Sequence, residues 1–103
     1  MKYQVKFPSH SIEKKFEKFL LKIHPVSLQE EIMQEVNKLA DNPRSYGEKA
    51  FKKLKLPIQF YQYVAQYRIR IGGYRMLYDV DDEKKIIIWI LALRRRSEKT
   101  YRT

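Results

Sequence analysis

The stretch from Phe60 to Val80 constrains the fold more than any other part of the chain. From Phe60 onward polar and apolar residues alternate. Tyr61, Tyr63, Ala65, Tyr67, Ile69 and Ile71 fall on one side, and Gln62, Val64, Gln66, Arg68 and Arg70 on the other. Successive side chains of a strand point to opposite faces, so a period of two predicts a half-buried strand. Gly72-Gly73 follows, and glycine tolerates the positive φ that two-residue hairpin loops demand. Tyr74 to Val80 then runs back as a second strand. With the two glycines as the loop, Ile71 pairs with Tyr74, Arg70 with Arg75, and Ile69 with Met76. Tyr67, Ile69, Ile71, Met76, Tyr78 and Val80 then form an apolar face able to receive helices. Arg68, Arg70 and Arg75 share the opposite face, expected to be exposed.

The rest of the chain supplies those helices. Tyr3, Val5 and Phe7 alternate as a short N-terminal strand, ended by Pro8 and Ser9. Ile12, Phe16, Phe19, Leu20 and Ile23 make one apolar stripe at helical spacing, which Pro25 stops. Ser27-Leu28-Gln29-Glu30 reads as a capping box opening a second helix. Its stripe is Leu28, Ile32, Val36 and Leu39, and Asp41-Asn42-Pro43 closes it. Two helices joined by a short loop predict an antiparallel hairpin. Residues 44 to 57 have no clean period and read as a loop or short strand. Asp81-Asp82-Glu83-Lys84 makes a second turn, and Lys85 to Leu93 reads as a last, isoleucine-rich central strand. The expected fold is α+β: an N-terminal strand, a two-helix antiparallel hairpin, then a three-strand antiparallel β-meander packed on the helices. At 103 residues the expectation is one domain over 1–103.

Composition narrows the function. The chain has no cysteine, which excludes disulfides, thiolate nucleophiles and Cys-based metal sites. The N-terminus carries no apolar signal-peptide core. The longest apolar run, Ile86 to Leu93, has eight residues against the ~20 of a membrane-spanning helix. A cytoplasmic protein is expected. Twenty-two Lys and Arg against twelve Asp and Glu give a net charge of +10, which points to a polyanion or an acidic partner. His10 and His24, the only histidines, read as surface or capping residues.

The placement of the arginines says more than their number. Arg70 and Arg75 are directly opposed across the hairpin, and like charges so placed destabilise a sheet. Folding alone would not put them there, unless they are solvated or paired with Asp79 or Glu98. An anion between them turns repulsion into attraction, and the planar guanidinium fork suits phosphate oxygens. Arg94-Arg95-Arg96 follows the last strand, with Tyr101 and Arg102 soon after. This second basic cluster could meet the first.

The segment Tyr67-Arg68-Ile69-Arg70-Ile71-Gly72-Gly73-Tyr74-Arg75-Met76-Leu77-Tyr78-Asp79-Val80 resembles the core signature of the RelE/ParE toxin superfamily. Arg95, with Tyr101 six residues on, resembles that family's C-terminal Arg and Tyr. The expected element order matches as well, so the resemblance covers nearly the whole chain. It implies a toxin encoded beside an antitoxin that wraps and neutralises it. In the RelE branch the toxin enters the ribosomal A site and cleaves the messenger. In the ParE branch the same fold inhibits DNA gyrase without ribonuclease residues.

The residues favour the RelE branch. The resemblance implies catalytic roles for Arg68, Arg70, Arg75, Arg95 and Tyr101, and RNA binding by Arg94, Arg96, Lys99 and Arg102. The reaction would be attack of a ribose 2′-OH on the adjacent phosphorus with departure of the 5′-oxygen, using no metal and no cofactor. Arginines stand at 68 and 70, where the family often carries lysines. Arginine stays protonated, so these side chains stabilise charge and do not act as a base. Tyr101 would move a proton or stack on a base. The implied partners are a cognate antitoxin, messenger RNA and the ribosome.

Overall fold

The computed structural model describes residues 3–83 and 87–95. Its elements are β1 (Gln4–Lys6), α1 (His10–Leu21), α2 (Val26–Leu39), β2 (Phe51–Phe60), β3 (Tyr63–Ile71), β4 (Tyr74–Asp81) and β5 (Ile87–Arg95). Among the described residues the strands form one five-stranded sheet in the order β1-β5-β4-β3-β2. The hairpin around Gly72-Gly73 has the register its alternation predicts: Ile71 opposes Tyr74, Arg70 opposes Arg75, and Ile69 opposes Met76. Gly72 takes φ +57°, so the glycine there serves the turn. The β2–β5 strands are an antiparallel meander, and β1 joins β5 in parallel at the edge.

The core lies between the helices and the apolar sheet face. Phe16 of α1 and Ile32, Val36 and Leu39 of α2 pack in one cluster with Tyr67, Ile69, Ile71, Met76, Tyr78, Val80, Ile88, Ile90 and Leu93. Each such fully buried aliphatic contributes about 1.5–3 kcal/mol relative to exposure. The α+β architecture expected from the sequence is present. Among the described residues no helix is long and apolar enough to cross a membrane.

Four local expectations change. The capping box does not form. Pro25 is the N-cap residue of α2 and its carbonyl accepts the Leu28 amide at 2.9 Å, so Ser27 is already helical, whereas a serine cap needs extended backbone. The side-chain cap belongs to α1, where Ser9 Oγ accepts the Ile12 amide at 3.2 Å.

Residues 51–60 are a full strand, making the meander four strands long. Its alternation is hidden because the register with β3 shifts between Lys53 and Ile58, leaving residues 54–57 opposite Gln66 alone. The exposed lysines at 52, 53 and 55 and Pro57 are typical of an edge strand. Arg94 and Arg95 lie inside β5 instead of following it, because β4 pairs with them through Arg75 and Tyr74.

Finally, the arginine face is only partly open. Leu54 and Ile58 of β2 and Ile12 of α1 gather with Ala65, Leu77 and Leu91 in a second buried cluster. Leu77 lies in β4 at the same alternation as Arg75, and Arg68 beside it is only 9 % exposed.

Candidate functional site

Three arginines from three adjacent strands line up across the sheet. Arg70 of β3 opposes Arg75 of β4, and Arg75 opposes Arg94 of β5. Neighbouring strands are about 5 Å apart, so the outer two Cα atoms of the row stand about 10 Å apart. All three side chains are half-buried. In the next row Lys52 of β2 opposes Arg68, and Arg68 opposes Leu77. One sheet face thus carries five cations on four strands near its Gly72-Gly73 end.

A β-bulge decides which C-terminal arginine joins the row. Leu77 opposes Ala92 while Tyr78 opposes Ile90, so Leu91 is an extra residue in β5. Ile88 and Ile90 face the helices, and strict alternation would send Arg94 to that face and Arg95 to the other. The extra residue inverts the order beyond it. Arg94 therefore stands beside Arg75, and Arg95 opposes Tyr74, whose ring meets Phe19 of α1 edge-on at 5.9 Å. Arg95 is exposed, on the side of the sheet away from Arg68, Arg70 and Arg75. Arg96, Lys99, Tyr101 and Arg102 lie outside the described residues.

The guanidinium groups are braced by backbone and aromatic atoms. Arg68 Nη1 donates to the Ala50 carbonyl at 2.9 Å, and Arg70 Nη2 to the Lys49 carbonyl at 3.3 Å. Arg94 lies over the Phe60 ring, 5.0 Å from its centroid. Phe60 of β2 thus meets β5 at Arg94, and Tyr61 meets α1 at Lys15. Tyr61 takes φ +58°, rare for a non-glycine residue. Lys15 Nζ donates to its hydroxyl at 2.6 Å, and this holds the phenol below its ordinary range.

Asp79 sits on the arginine face two places beyond Leu77. Burial pushes its carboxyl up, although Gln66 Nε2 donates to it at 3.1 Å. The side-chain hydrogen bond it accepts thus comes from an amide.

The helix-side face carries a separate polar clasp. Arg44 donates to the Tyr67 hydroxyl at 2.9 Å and to both Asp82 oxygens at 3.2 and 2.5 Å, and Tyr3 donates to Asp82 at 2.7 Å. The hydrogen bond from Arg44 holds the Asp82 carboxyl below its ordinary range. Tyr78 donates to the Pro43 carbonyl at 2.6 Å, and burial pushes its phenol well up. Phe51, Tyr67 and Tyr78 stack across three strands at 5.8 and 5.7 Å. This clasp ties the segment after α2 to the sheet.

The sequence does not mark Lys52 and Phe60 as site residues, because residues 44–57 show no clean period and Phe60 looks like the start of the next strand when it is the end of β2. The signal available was Phe51 and Leu54 among lysines, which marks an edge strand once its partner is known.

Residues 11–100 match the family described as ParE toxin of type II toxin-antitoxin system, parDE. The chain belongs to the RelE/ParE toxin superfamily. It is the toxin of a type II toxin-antitoxin system. Among solved structures, the archaeal RelE-RelB complex from Pyrococcus horikoshii OT3 contains a chain 26% identical to this toxin. That likeness has a TM-score of 0.69 and covers 95% of the toxin and 99% of that chain. The RelBE2 toxin-antitoxin complex of Mycobacterium tuberculosis, at 23% identity and TM-score 0.63, covers 93% of the toxin and 100% of that chain, and shares the fold. No curated protein matches the toxin.

Proposed function

We propose that the toxin is an endoribonuclease that cleaves messenger RNA on the ribosome, in the cytoplasm. The observation that carries this reading is the cross-strand row Arg70-Arg75-Arg94 with Arg68 beside it. Opposed guanidinium groups repel each other and are stabilised by a shared anion. In the reaction the 2′-oxygen bonds to phosphorus, the bond to the 5′-oxygen breaks, and negative charge grows on the non-bridging oxygens. Donors aimed at that charge stabilise the transition state. Arg68, Arg70, Arg75 and Arg94 are assigned this role. Arg94 takes the place given to Arg95 on sequence, and Arg95 passes to docking on RNA. Tyr101 is retained for proton transfer or base stacking, and Arg96, Lys99 and Arg102 for binding RNA. A cognate antitoxin is the expected protein partner, as RelB is of RelE in the archaeal complex.

A second reading is a ParE-like inhibitor of DNA gyrase, favoured by the description of the family that residues 11–100 match. Induced expression followed by primer extension on cellular messages separates the two. Cuts inside translated codons support the ribonuclease. Intact messages with an SOS response support gyrase inhibition.

A further inference from the structure

A groove borders the arginine row and shares Arg94 with it. It has a volume of about 430 Å³ and lies between α1, the β2–β3 turn and the end of β5. That volume falls within the range of small-ligand sites. Phe16, Phe19 and Leu93 are among its apolar lining. Lys15, Tyr61 and Arg94 bring polar groups to it. Arg94 belongs both to this groove and to the arginine row, and its guanidinium lies over the Phe60 ring, another wall of the groove. A ligand with an anion in the row and a flat, apolar ring in the groove would meet both at once.

Resting on the ribonuclease reading, we infer that this groove is a nucleobase subsite, taking the base of a nucleotide that flanks the scissile phosphate and stacking it against Phe60 and Tyr61. Tyr61 is suited to such contact. Its side chain stands in the open, 68% exposed, on a left-handed backbone that few non-glycine residues adopt. Lys15 holds it there through the hydroxyl and lies 5.0 Å from the ring centroid. Strained positions of this kind persist where the surroundings over-determine them, and they cluster at ligand clamps. Stacking on aromatic side chains tolerates every base, so the groove adds affinity and places the ribose without fixing the sequence.

The test is an NMR titration of the free toxin with the four 5′-mononucleotides, with ribose 5-phosphate as the base-free probe. The mononucleotides should shift the amides of Phe60, Tyr61 and Arg94, and ribose 5-phosphate should leave Phe60 and Tyr61 in place. Phe60→Ala and Tyr61→Ala should each weaken nucleotide binding roughly 5- to 150-fold, the range base stacking is worth, with folding checked by thermal melting. Equal shifts from ribose 5-phosphate, or wild-type nucleotide affinity in a folded Tyr61→Ala variant, would overturn the inference. So would an antitoxin peptide moving these amides when no nucleotide does. Those results sink the groove alone where primer extension still finds cuts. Undiminished growth arrest by Arg75→Ala with uncut messages sinks the ribonuclease reading instead.

Discussion

Arg94 and Arg95 are adjacent in sequence and stand on opposite faces of β5, so they make a controlled comparison. Both carry the same charge, and their substitutions change the net charge equally. Only Arg94 stands in register with Arg75 and Arg70. Arg94→Ala should lower message cleavage by ~10²–10³-fold, the usual loss for one transition-state donor. Arg95→Ala, which touches docking alone, should leave the rate at saturating ribosome near that of the wild type. Single-turnover cleavage on programmed ribosomes, read by primer extension, measures both. Equal losses would mean that bulk charge, not register, does the work. The sequence could not supply this distinction. Alternation and the glycine loop locate Arg68, Arg70 and Arg75 on one face without any structure. The bulge at Leu91 follows from no local residue pattern, since leucine fits a paired or an unpaired position equally well. One extra residue exchanges the faces of everything after it.

At the scale of elements, legibility follows how local the cause is. The stripes of α1 and α2 and the pairing of β3 with β4 are set within a few residues, and the sequence shows them. β2 owes its strand character to a distant partner and its irregularity to a shift that β3 imposes, so its own residues show neither. The helix caps offer a test. Ser9→Ala should cost about 1 kcal/mol in urea unfolding, whereas Ser27→Ala should be close to neutral, since only Ser9 accepts an amide at a helix start. A comparable loss at Ser27 would restore the capping box.

The clasp between Arg44 and Asp82 makes stability depend on pH. The Asp82 carboxyl is held below its ordinary range, so the folded state binds its proton less readily than the unfolded chain. Its contribution is present above the unfolded value of about 3.9 and is lost as pH falls through the lower folded value. Asp82→Asn should therefore flatten the acid limb of the unfolding midpoint against pH. Asp79 has the opposite sign, because burial raises its carboxyl. Its contribution is lost as pH rises through the folded value, so Asp79→Asn should steady the protein near neutral pH. Chemical denaturation across the acid range reads both slopes.

Across the whole molecule, charge is sorted along the strands. Arg70 and Arg75 flank the glycine turn at one end of the hairpin, and Asp79, Asp81, Asp82 and Glu83 lie toward the other. With a net charge of +10, the protein should draw RNA from a distance and orient it with phosphates toward the arginine end. Binding to single strands loses about 0.7 in the slope of log affinity against log salt for each phosphate contact. If Arg68, Arg70, Arg75 and Arg94 each engage a phosphate, the slope should be about −3, and affinity should fall roughly 50-fold between 50 and 200 mM salt. An oligonucleotide with a 2′-deoxy sugar at the cleavage position lacks the attacking hydroxyl, so its binding can be measured without turnover. Arg75→Ala should make that slope shallower by about 0.7, because one counterion fewer is displaced. A slope that stays flat in the wild type, or that Arg75→Ala leaves unchanged, would mean the row does not hold the RNA backbone. The row would then be better suited to the carboxylates of a protein partner.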